Sequence, residues 1–435
     1  MITVPWGNGE LSVPLPSGWR VLGTFSPVSM KPAVDPETLC REALDHPIGT
    51  QHLSSRRLQG KKVLIVTDDI SRPTPVARFF GSVRDALVKA GIQREDIEIL
   101  FALGVHRPMT QAEAEAKIGK ENLAAHRWHN HNSFDPAQLI KLGVTSRGTS
   151  VILNRLLTQF DLIVLLGVIE LHLLLGFSGG LKMILPGCAG RETIGRNHLQ
   201  GMLGERFNYV GAGTQHSPVR LDLEEGAGLL QKDIFLVNGV LNHDAEIVRF
   251  FCGDPLKAFR AGADFVQRSS AVVIDEPADV VITNSRPYDA DLRQGMKCMG
   301  NALEAVRRGG LLLGLLYCQR GLGDLSTPFF TLPYPTLRML LHAMGPKWVP
   351  GLSRWAVLHE SLEQQFLDQF GLRMLERNDL WCFSENLPRE KSRKLGALRP
   401  FPSLTAMMME AEKTVGTSAT VSIFPYGGLT YAVRG

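Results

Sequence analysis

The chain has 435 residues, of which 44% are hydrophobic, 21% charged and 7% aromatic, and its 47 basic and 43 acidic residues leave a formal net charge of +4. That length exceeds one hydrophobic core and suits two domains, and the composition sits near globular averages, which excludes disordered and fibrous classes. No segment gathers Lys and Arg among aromatics, so nucleic acid is not an expected partner, while a slight positive excess suits a small anionic substrate.

The N-terminal stretch MITVPWGNGELSVPLP alternates apolar and polar residues around Asn8-Gly9, which predicts a β-hairpin, and it lacks the basic and apolar regions of a secretory signal. Short aliphatic runs then alternate with amphipathic stretches. A strand from Val63 to Thr67 precedes a helix from Val76 to Ala90, and a strand from Ile97 to Leu103 precedes a helix near Gln111, where Thr110 and Glu113 supply a capping box. This grammar predicts an α/β fold with a largely parallel sheet covered on both faces. Leu162 to Val168 reads as a further buried strand, and Leu181 to Leu185 as another. The apolar run Leu162 to Leu175 is interrupted by Glu170 and His172 and is too short to cross a bilayer, so no membrane partner and a cytoplasmic location are expected.

After a helix from Pro255 to Gln267 the pattern restarts with strands Ala271 to Ile274 and Val280 to Thr283, a helix from Leu292 to Arg307 ended by Gly309-Gly310, and a strand Leu311 to Leu316. The domain boundary is therefore expected near 270, giving an N-terminal cofactor-binding α/β domain over 1–270 and a C-terminal α/β domain over 271–415 that closes over substrate. Pro328 to Pro350 yields no assignable element. Ala419 to Phe424 and Leu429 to Val433 flank Pro425-Tyr426-Gly427-Gly428 and predict a second hairpin, with 416–435 returning to the first domain. The six cysteines are scattered without a CxxC pair, which argues against a zinc ribbon or disulfide framework and for reduced, mostly buried thiols.

Four segments carry side chains suited to chemistry. Asp68-Asp69-Ile70-Ser71-Arg72-Pro73-Thr74-Pro75 follows a strand, where acids suit ribose hydroxyls and an arginine suits an anion; an ordinary βα loop with a capping Asp would also look this way. Gly104-Val105-His106-Arg107-Pro108 places a histidine at another strand end, fit for general acid or base work or for a merely structural place. The third is Glu170-Leu171-His172 with Gly176-Phe177-Ser178-Gly179-Gly180-Leu181-Lys182, then Pro186-Gly187 and Asn197-His198. Its glycines let backbone N–H groups close on a phosphate, and Ser178 and Lys182 add a hydroxyl and a charge, although the spacing is not that of a Walker A loop. Two histidines and a lysine around one glycine loop in apolar surroundings favour a site here. The fourth is Arg286-Pro287-Tyr288-Asp289 with Arg293-Gln294-Gly295-Met296-Lys297, whose Gln294 and Lys297 share a helix face that either meets a carboxylate or stays solvated. His126, His129 and His131 read as a surface loop.

Taken together, DDISRPTP, GVHRP, the block from His172 through GFSGGLK to PG and NH, and QGMK resemble, in the same order over most of the chain, the nickel-dependent lactate racemase family. The resemblance implies a nickel-pincer mononucleotide joined through a thioamide to Lys182 and lying against Ser178, Gly179 and Gly180. It implies His198 as the nickel ligand, His106 and His172 as acid/base residues, and Asp69 and Arg72 in contact with cofactor ribose and with substrate or phosphate. It likewise implies Gln294 and Lys297 as substrate holders from the second domain, with Arg72 and Lys297 offsetting the carboxylate. The expected reaction is racemisation or epimerisation of a 2-hydroxy acid by reversible proton-coupled hydride transfer, and the expected partners are the substrate and the proteins that make the pincer cofactor.

Two positions depart from the family pattern. Ser71 replaces a usual threonine, and Arg293 stands where lactate racemases carry a tyrosine, which points to a substrate larger than lactate, such as malate or a sugar acid like an aldonate. Trp355 or Trp348 is the candidate for a family tryptophan near the cofactor. The alternatives are a nicotinamide- or nucleotide-binding oxidoreductase, disfavoured because no GxGxxG follows the first strand, and a non-catalytic binder of a nucleotide or sugar acid, which would be expected to lose one of Lys182, His198, His106 or His172.

Overall fold

The computed structural model describes residues 1–201, 206–323, 325, 332–345, 348, 362–388 and 395–435, without the side chains of 362–367. The chain divides into two units, Ser29–Gly201 with Ala212–Arg268, and Met1–Val28 with Met202–Gly211 and Ser269–Gly435. Each is built on its own six-stranded sheet with helices around it, so the fold is α/β.

In the first unit the strands run in the order Ile247–Gly253, Asp233–Leu241, Leu162–Val168, Val63–Thr67, Ile97–Phe101, Arg127–Asn130. All neighbours are parallel except the Ile247–Gly253 edge strand. Val63–Thr67 and Leu162–Val168 are buried at every residue, the reason their sequences are unbroken aliphatic runs rather than alternating ones. From Val63–Thr67 the chain winds outward through Ile97–Phe101 to Arg127–Asn130 and then resumes on the other side with Leu162–Val168. The winding thus reverses between Val63–Thr67 and Leu162–Val168, the place where an open α/β sheet has its ligand crevice, at the carboxyl ends of the two strands. The helix Gln111–Ile118 has the capping box expected of Thr110 and Glu113.

The second unit's sheet, Arg399–Phe401, Asp379–Phe383, Val306–Leu315, Ala278–Asn284, Thr420–Phe424, Arg20–Thr24, is parallel throughout. Its winding reverses between Ala278–Asn284 and Thr420–Phe424, and Val280, Ile282, Leu313, Trp381, Met407 and Ile423 lie in its core. The N-terminal hairpin forms, pairing Ile2–Trp6 with Gly9–Val13, but turns at Gly7-Asn8, with Gly7 at φ +55° supplying the positive dihedral.

Several expectations are corrected. The C-terminal segments make no hairpin: Thr420–Phe424 inserts beside Ala278–Asn284, and Tyr431–Arg434 runs parallel to Ala271–Ile274. Their aliphatic residues need neighbours on both faces, which a two-stranded ribbon does not supply. Residues 416–435 thus stay with the second unit, and residues 1–28 join them there. Leu181 to Leu185 is not a strand, because Gly179 and Gly180 at φ +91° and +63° turn the chain into a short 3-10 helix, Gly180–Met183.

The expected helix from Leu292 to Arg307 breaks into Leu292–Gly295 and Lys297–Asn301, and the strand begins early, at Val306. Gly309-Gly310 is a strand irregularity rather than a helix stop, since a Cβ on Gly310 would lie 2.6 Å from the Asp279 carbonyl of the paired strand. His126 and His131 are buried and His129 sits on the edge strand, so these three form no surface loop. Trp355 lies outside the described residues, as do 328–331, 346–347 and 349–350; the stretch between them, which yields no assignable element from sequence, contains the helix Tyr334–Met344, and Trp348 is 65% exposed. All six cysteines are buried and unbridged.

Candidate active site

The crevice of the first unit collects three of the four segments. Asp68 and Asp69 leave strand Val63–Thr67, Gly104 to His106 follow Ile97–Phe101, and Glu170 to His172 follow Leu162–Val168. Asp69 Oδ1 accepts from the Ser71 backbone N–H at 2.8 Å and from the Ser71 hydroxyl, and Asp69 Oδ2 meets His106 Nδ1 at 2.5 Å. Burial by itself would raise the Asp69 carboxyl, but the hydrogen bond and charge of His106, with Arg72 and Ser71, hold it well below the usual carboxylate range. An ionised carboxylate only accepts, so His106 donates its Nδ1 proton and keeps its lone pair on Nε2.

Across the crevice Arg72 Nη1 pairs with Glu170 Oε1 at 3.3 Å, joining the loops after the two central strands. Asp68 turns inward, where Lys117 Nζ lies 2.5 Å from Oδ1 and the Thr74 hydroxyl donates to Oδ2; burial raises this carboxyl against the opposing Lys117 charge. Lys117 also donates to the Arg72 carbonyl at 3.1 Å, so the inner acid anchors the loop that presents the outer one.

His172 lies on a two-residue strand paired with Gly176–Phe177, and its Nδ1 accepts from the Leu174 and Leu175 backbone N–H groups at 3.2 and 3.3 Å. Its proton in the neutral form is therefore on Nε2, the opposite tautomer to His106. Ser178 N–H donates to the Glu170 carbonyl at 2.7 Å and Gly180 N–H to Asn238 Oδ1 at 2.8 Å. A Cβ at Gly179 would lie 2.8 Å from both Asn238 Oδ1 and the Val168 carbonyl, and one at Gly180 2.8 Å from the Phe259 ring. The loop is thus pressed against sheet and core, and Lys182, half-buried, stands in the 3-10 turn that follows. Gly104 N–H donates to the Gly187 carbonyl at 2.9 Å, tying the His106 loop to the end of this block.

His198 is in the last turn of helix Arg191–Gln200 and gives its Nδ1 proton to the Ile194 carbonyl at 2.8 Å, leaving the lone pair on Nε2. The preceding Asn197 is fully buried and donates to Asp222 at 2.8 Å and to the Val219 carbonyl at 3.1 Å, which fixes the helix beside Pro218–Gly228.

In the second unit Arg293, Gln294 and Lys297 follow strand Ala278–Asn284, one of the two strands at its winding reversal. Gln294 is buried with its backbone N–H on Asp291 Oδ1 at 3.0 Å, Arg293 is half-buried, and Lys297 Nζ lies over the Tyr288 ring at 5.1 Å. The break between the two short helices means Gln294 and Lys297 do not share one continuous helix face.

The family model for the lactate racemase N-terminal domain matches residues 6–210. The lactate racemase of Thermoanaerobacterium thermosaccharolyticum is 31% identical over 430 residues, covering 98% of this chain and 97% of the relative. The chain belongs to the lactate racemase family. It is accordingly an isomerase of the racemase type. The lactate racemase of Lactiplantibacillus plantarum is also 31% identical, over 65% of this chain and 66% of its own. The structure of the Thermoanaerobacterium lactate racemase apoprotein superposes with a TM-score of 0.82, 26% identity and 99% coverage of both chains. A Thermotoga maritima protein at 18% identity and TM-score 0.66, covering 92% of this chain and 99% of that one, shares the fold.

Beside the motif residues, this lactate racemase family member uses Lys117, Asn238 and Arg220 to hold its loops, and none of them stood out in the sequence. Asn238 alone left a signal, a lone amide inside the buried strand Asp233–Leu241, where an unsatisfied polar group would be costly.

Proposed function

We propose that this chain racemises or epimerises a lactate-like 2-hydroxy acid, with His106 and His172 exchanging protons with the substrate hydroxyl. The observation that carries the reading is the pair of opposite histidine tautomers at one sheet edge, His106 with its Nδ1 proton on Asp69 and His172 with its Nδ1 accepting from two backbone N–H groups. His106 offers Nε2 as base, and Asp69, kept ionised, stabilises the imidazolium that results. His172 in the described state is a donor at Nε2. Reaction in both directions requires each ring to take both states in turn.

The residues fit a nickel-pincer nucleotide. The donor set is one amine, Lys182, at the end of a glycine loop too tightly packed to admit side chains at Gly179 and Gly180, and one imidazole, His198, with its lone pair set on Nε2 by the Ile194 carbonyl. Lys182 would hold the group covalently, Ser178, Gly179 and Gly180 would line it, Asp69 and Arg72 would meet its ribose or phosphate, and His198 would ligate nickel. When bound, the group supplies a reversible hydride acceptor, so that the hydroxyl-bearing carbon passes through a planar 2-keto acid. Arg72 would offset the charge of the substrate carboxylate, and Gln294 and Lys297 are the second unit's candidates for binding substrate. Arg293 favours a second carboxylate or further hydroxyls, as in malate or an aldonate. The protein would act in the cytoplasm and receive its cofactor from the pincer biosynthesis proteins; no helix among the described residues is long and apolar enough to cross a membrane.

The test is co-expression with those biosynthesis proteins, followed by intact mass, nickel content and a chiral assay from lactate to malate and aldonates. An adduct lost in Lys182→Ala, nickel lost in His198→Ala, and a preference that moves toward lactate in Arg293→Tyr are expected. Absence of adduct and nickel, with the biosynthesis proteins active on a known racemase, would reject the reading.

A further inference from the structure

Arg220 is fully buried in the first turn of helix Pro218–Gly228, where the helix dipole disfavours a cation. Its Nη1 donates to the Gly179 carbonyl at 3.3 Å and its Nη2 to the Phe177 carbonyl, so one guanidinium grips the two carbonyls on either side of Ser178. Its face lies 4.2 Å from the centre of the Phe259 ring, the same ring that backs Gly180. Ser217, which caps this helix, donates its hydroxyl to the Leu174 carbonyl at 2.6 Å, so the helix start holds the glycine loop at two points and the segment leading into it at a third.

As a source of stability this is an expensive arrangement. Arg220 Nε has no hydrogen-bond partner among the described residues, and burial pushes the guanidinium down to about 10, which still leaves it charged at neutral pH. The carboxylate one turn along, Glu224, is paired with Arg260 at 2.9 Å. Glu224 and the Phe259 ring still favour the charge, yet a well-packed apolar side chain often serves stability as well as a buried cation does. What an apolar residue does not supply is a rigid fork with two donors at fixed spacing.

We propose that Arg220 is a positioning residue that fixes the backbone of residues 176–180 and thereby sets where Lys182 is presented. The step from loop to cofactor rests on the reading of Lys182 as the attachment point. Arg220→Met and Arg220→Lys, made in the full chain, test it by two independent readouts. The first needs no cofactor: amide hydrogen exchange over 176–183 against the core strand 162–168, with the thermal midpoint. In Arg220→Met the loop amides should exchange at least roughly tenfold faster while the strand amides and the midpoint stay near wild type. Arg220→Lys, which keeps charge and loses the fork, should fall between. The second is the fraction of Lys182 carrying an adduct after co-expression with the biosynthesis proteins, expected to drop severalfold in the same order. Unchanged loop exchange in a folded variant, equal acceleration in loop and strand, or failure of both variants to fold would each overturn the positioning role. Faster loop exchange together with a wild-type protein that takes up no adduct would sink the attachment reading and leave the loop role standing.

Discussion

His106 Nδ1 and Asp69 Oδ2 lie 2.5 Å apart, although the two residues are 37 positions distant and follow different strands. The pair exists because Val63–Thr67 and Ile97–Phe101 are parallel neighbours, which brings the loops after them to the same edge. Replacing the carboxylate with a neutral amide, Asp69→Asn, keeps the shape and removes both tautomer control and charge support for His106. We expect turnover to fall by about two to four orders of magnitude with a smaller change in KM. Equal turnover in the variant would mean that His106 is not the base. Folding depresses the Asp69 carboxyl, so its contribution to stability is present above the ordinary carboxylate range and is lost as pH falls through the folded value. The stability difference between Asp69→Asn and wild type should therefore shrink in acid, which denaturation at pH 7 and pH 3 measures.

Arg72 and Glu170 form an ion pair whose carboxylate side chain is only 3% exposed. Arg72→Ala alone should destabilise by about 2–4 kcal/mol, because it leaves that buried carboxylate short of its cation. Arg72→Ala with Glu170→Gln should recover most of the loss in urea denaturation without restoring activity. Recovery of both would show that Arg72 serves only to neutralise Glu170.

Glycine substitutions separate backbone strain from crowding. Gly148, at φ +81°, has nothing within 4 Å of a Cβ, whereas Gly179, at φ +91°, has the Val168 carbonyl and Asn238 at 2.8 Å. Gly148→Ala should cost about 1 kcal/mol from the dihedral alone, and Gly179→Ala about 2–4 kcal/mol, together with loss of the Lys182 adduct. Equal costs in chemical denaturation would show that the sheet edge gives way without penalty.

His131 is 1% exposed, with Nε2 on the Ala189 carbonyl at 2.9 Å and Nδ1 accepting from Asn154 at 3.0 Å. Burial pushes its pKa from 6.5 down to about 4. A histidine depressed on folding stabilises the native state above its unfolded value, and that contribution is lost as pH falls from 6.5 toward 4. The thermal midpoint of wild type should drop across this window and that of His131→Asn should drop less. Parallel pH curves would contradict the assignment.

How much was legible depends on the range of the interaction involved. The strands Val63–Thr67 and Leu162–Val168 were read to the residue because two-sided burial writes itself as an unbroken aliphatic run, and the Thr110–Glu113 box was read because its partners are three residues apart. The chemistry-bearing residues were legible as motifs at strand ends, yet the partners that orient them were not. Lys117 reads as one more lysine on an amphipathic helix and becomes the counter-charge of Asp68 only once that helix packs beside the strand. Arg220, in PVRLDLEEGAG, looks like the charged face of a surface helix and is instead fully buried.

By itself, then, the sequence determined the α/β class, the order of most strands and helices, the N-terminal hairpin and the residue types at the carboxyl edge of the first sheet, all of which follow from periodicity and turn chemistry within a few neighbours. Tertiary structure decided where each winding reverses, and so which loops share a crevice; it sent the last strands to Ala278–Asn284 and Ala271–Ile274 instead of to each other. The reason is that parallel pairing has no local turn to specify it. A buried strand accepts whichever neighbour completes its hydrogen bonds and covers its faces, and that choice belongs to the whole sheet.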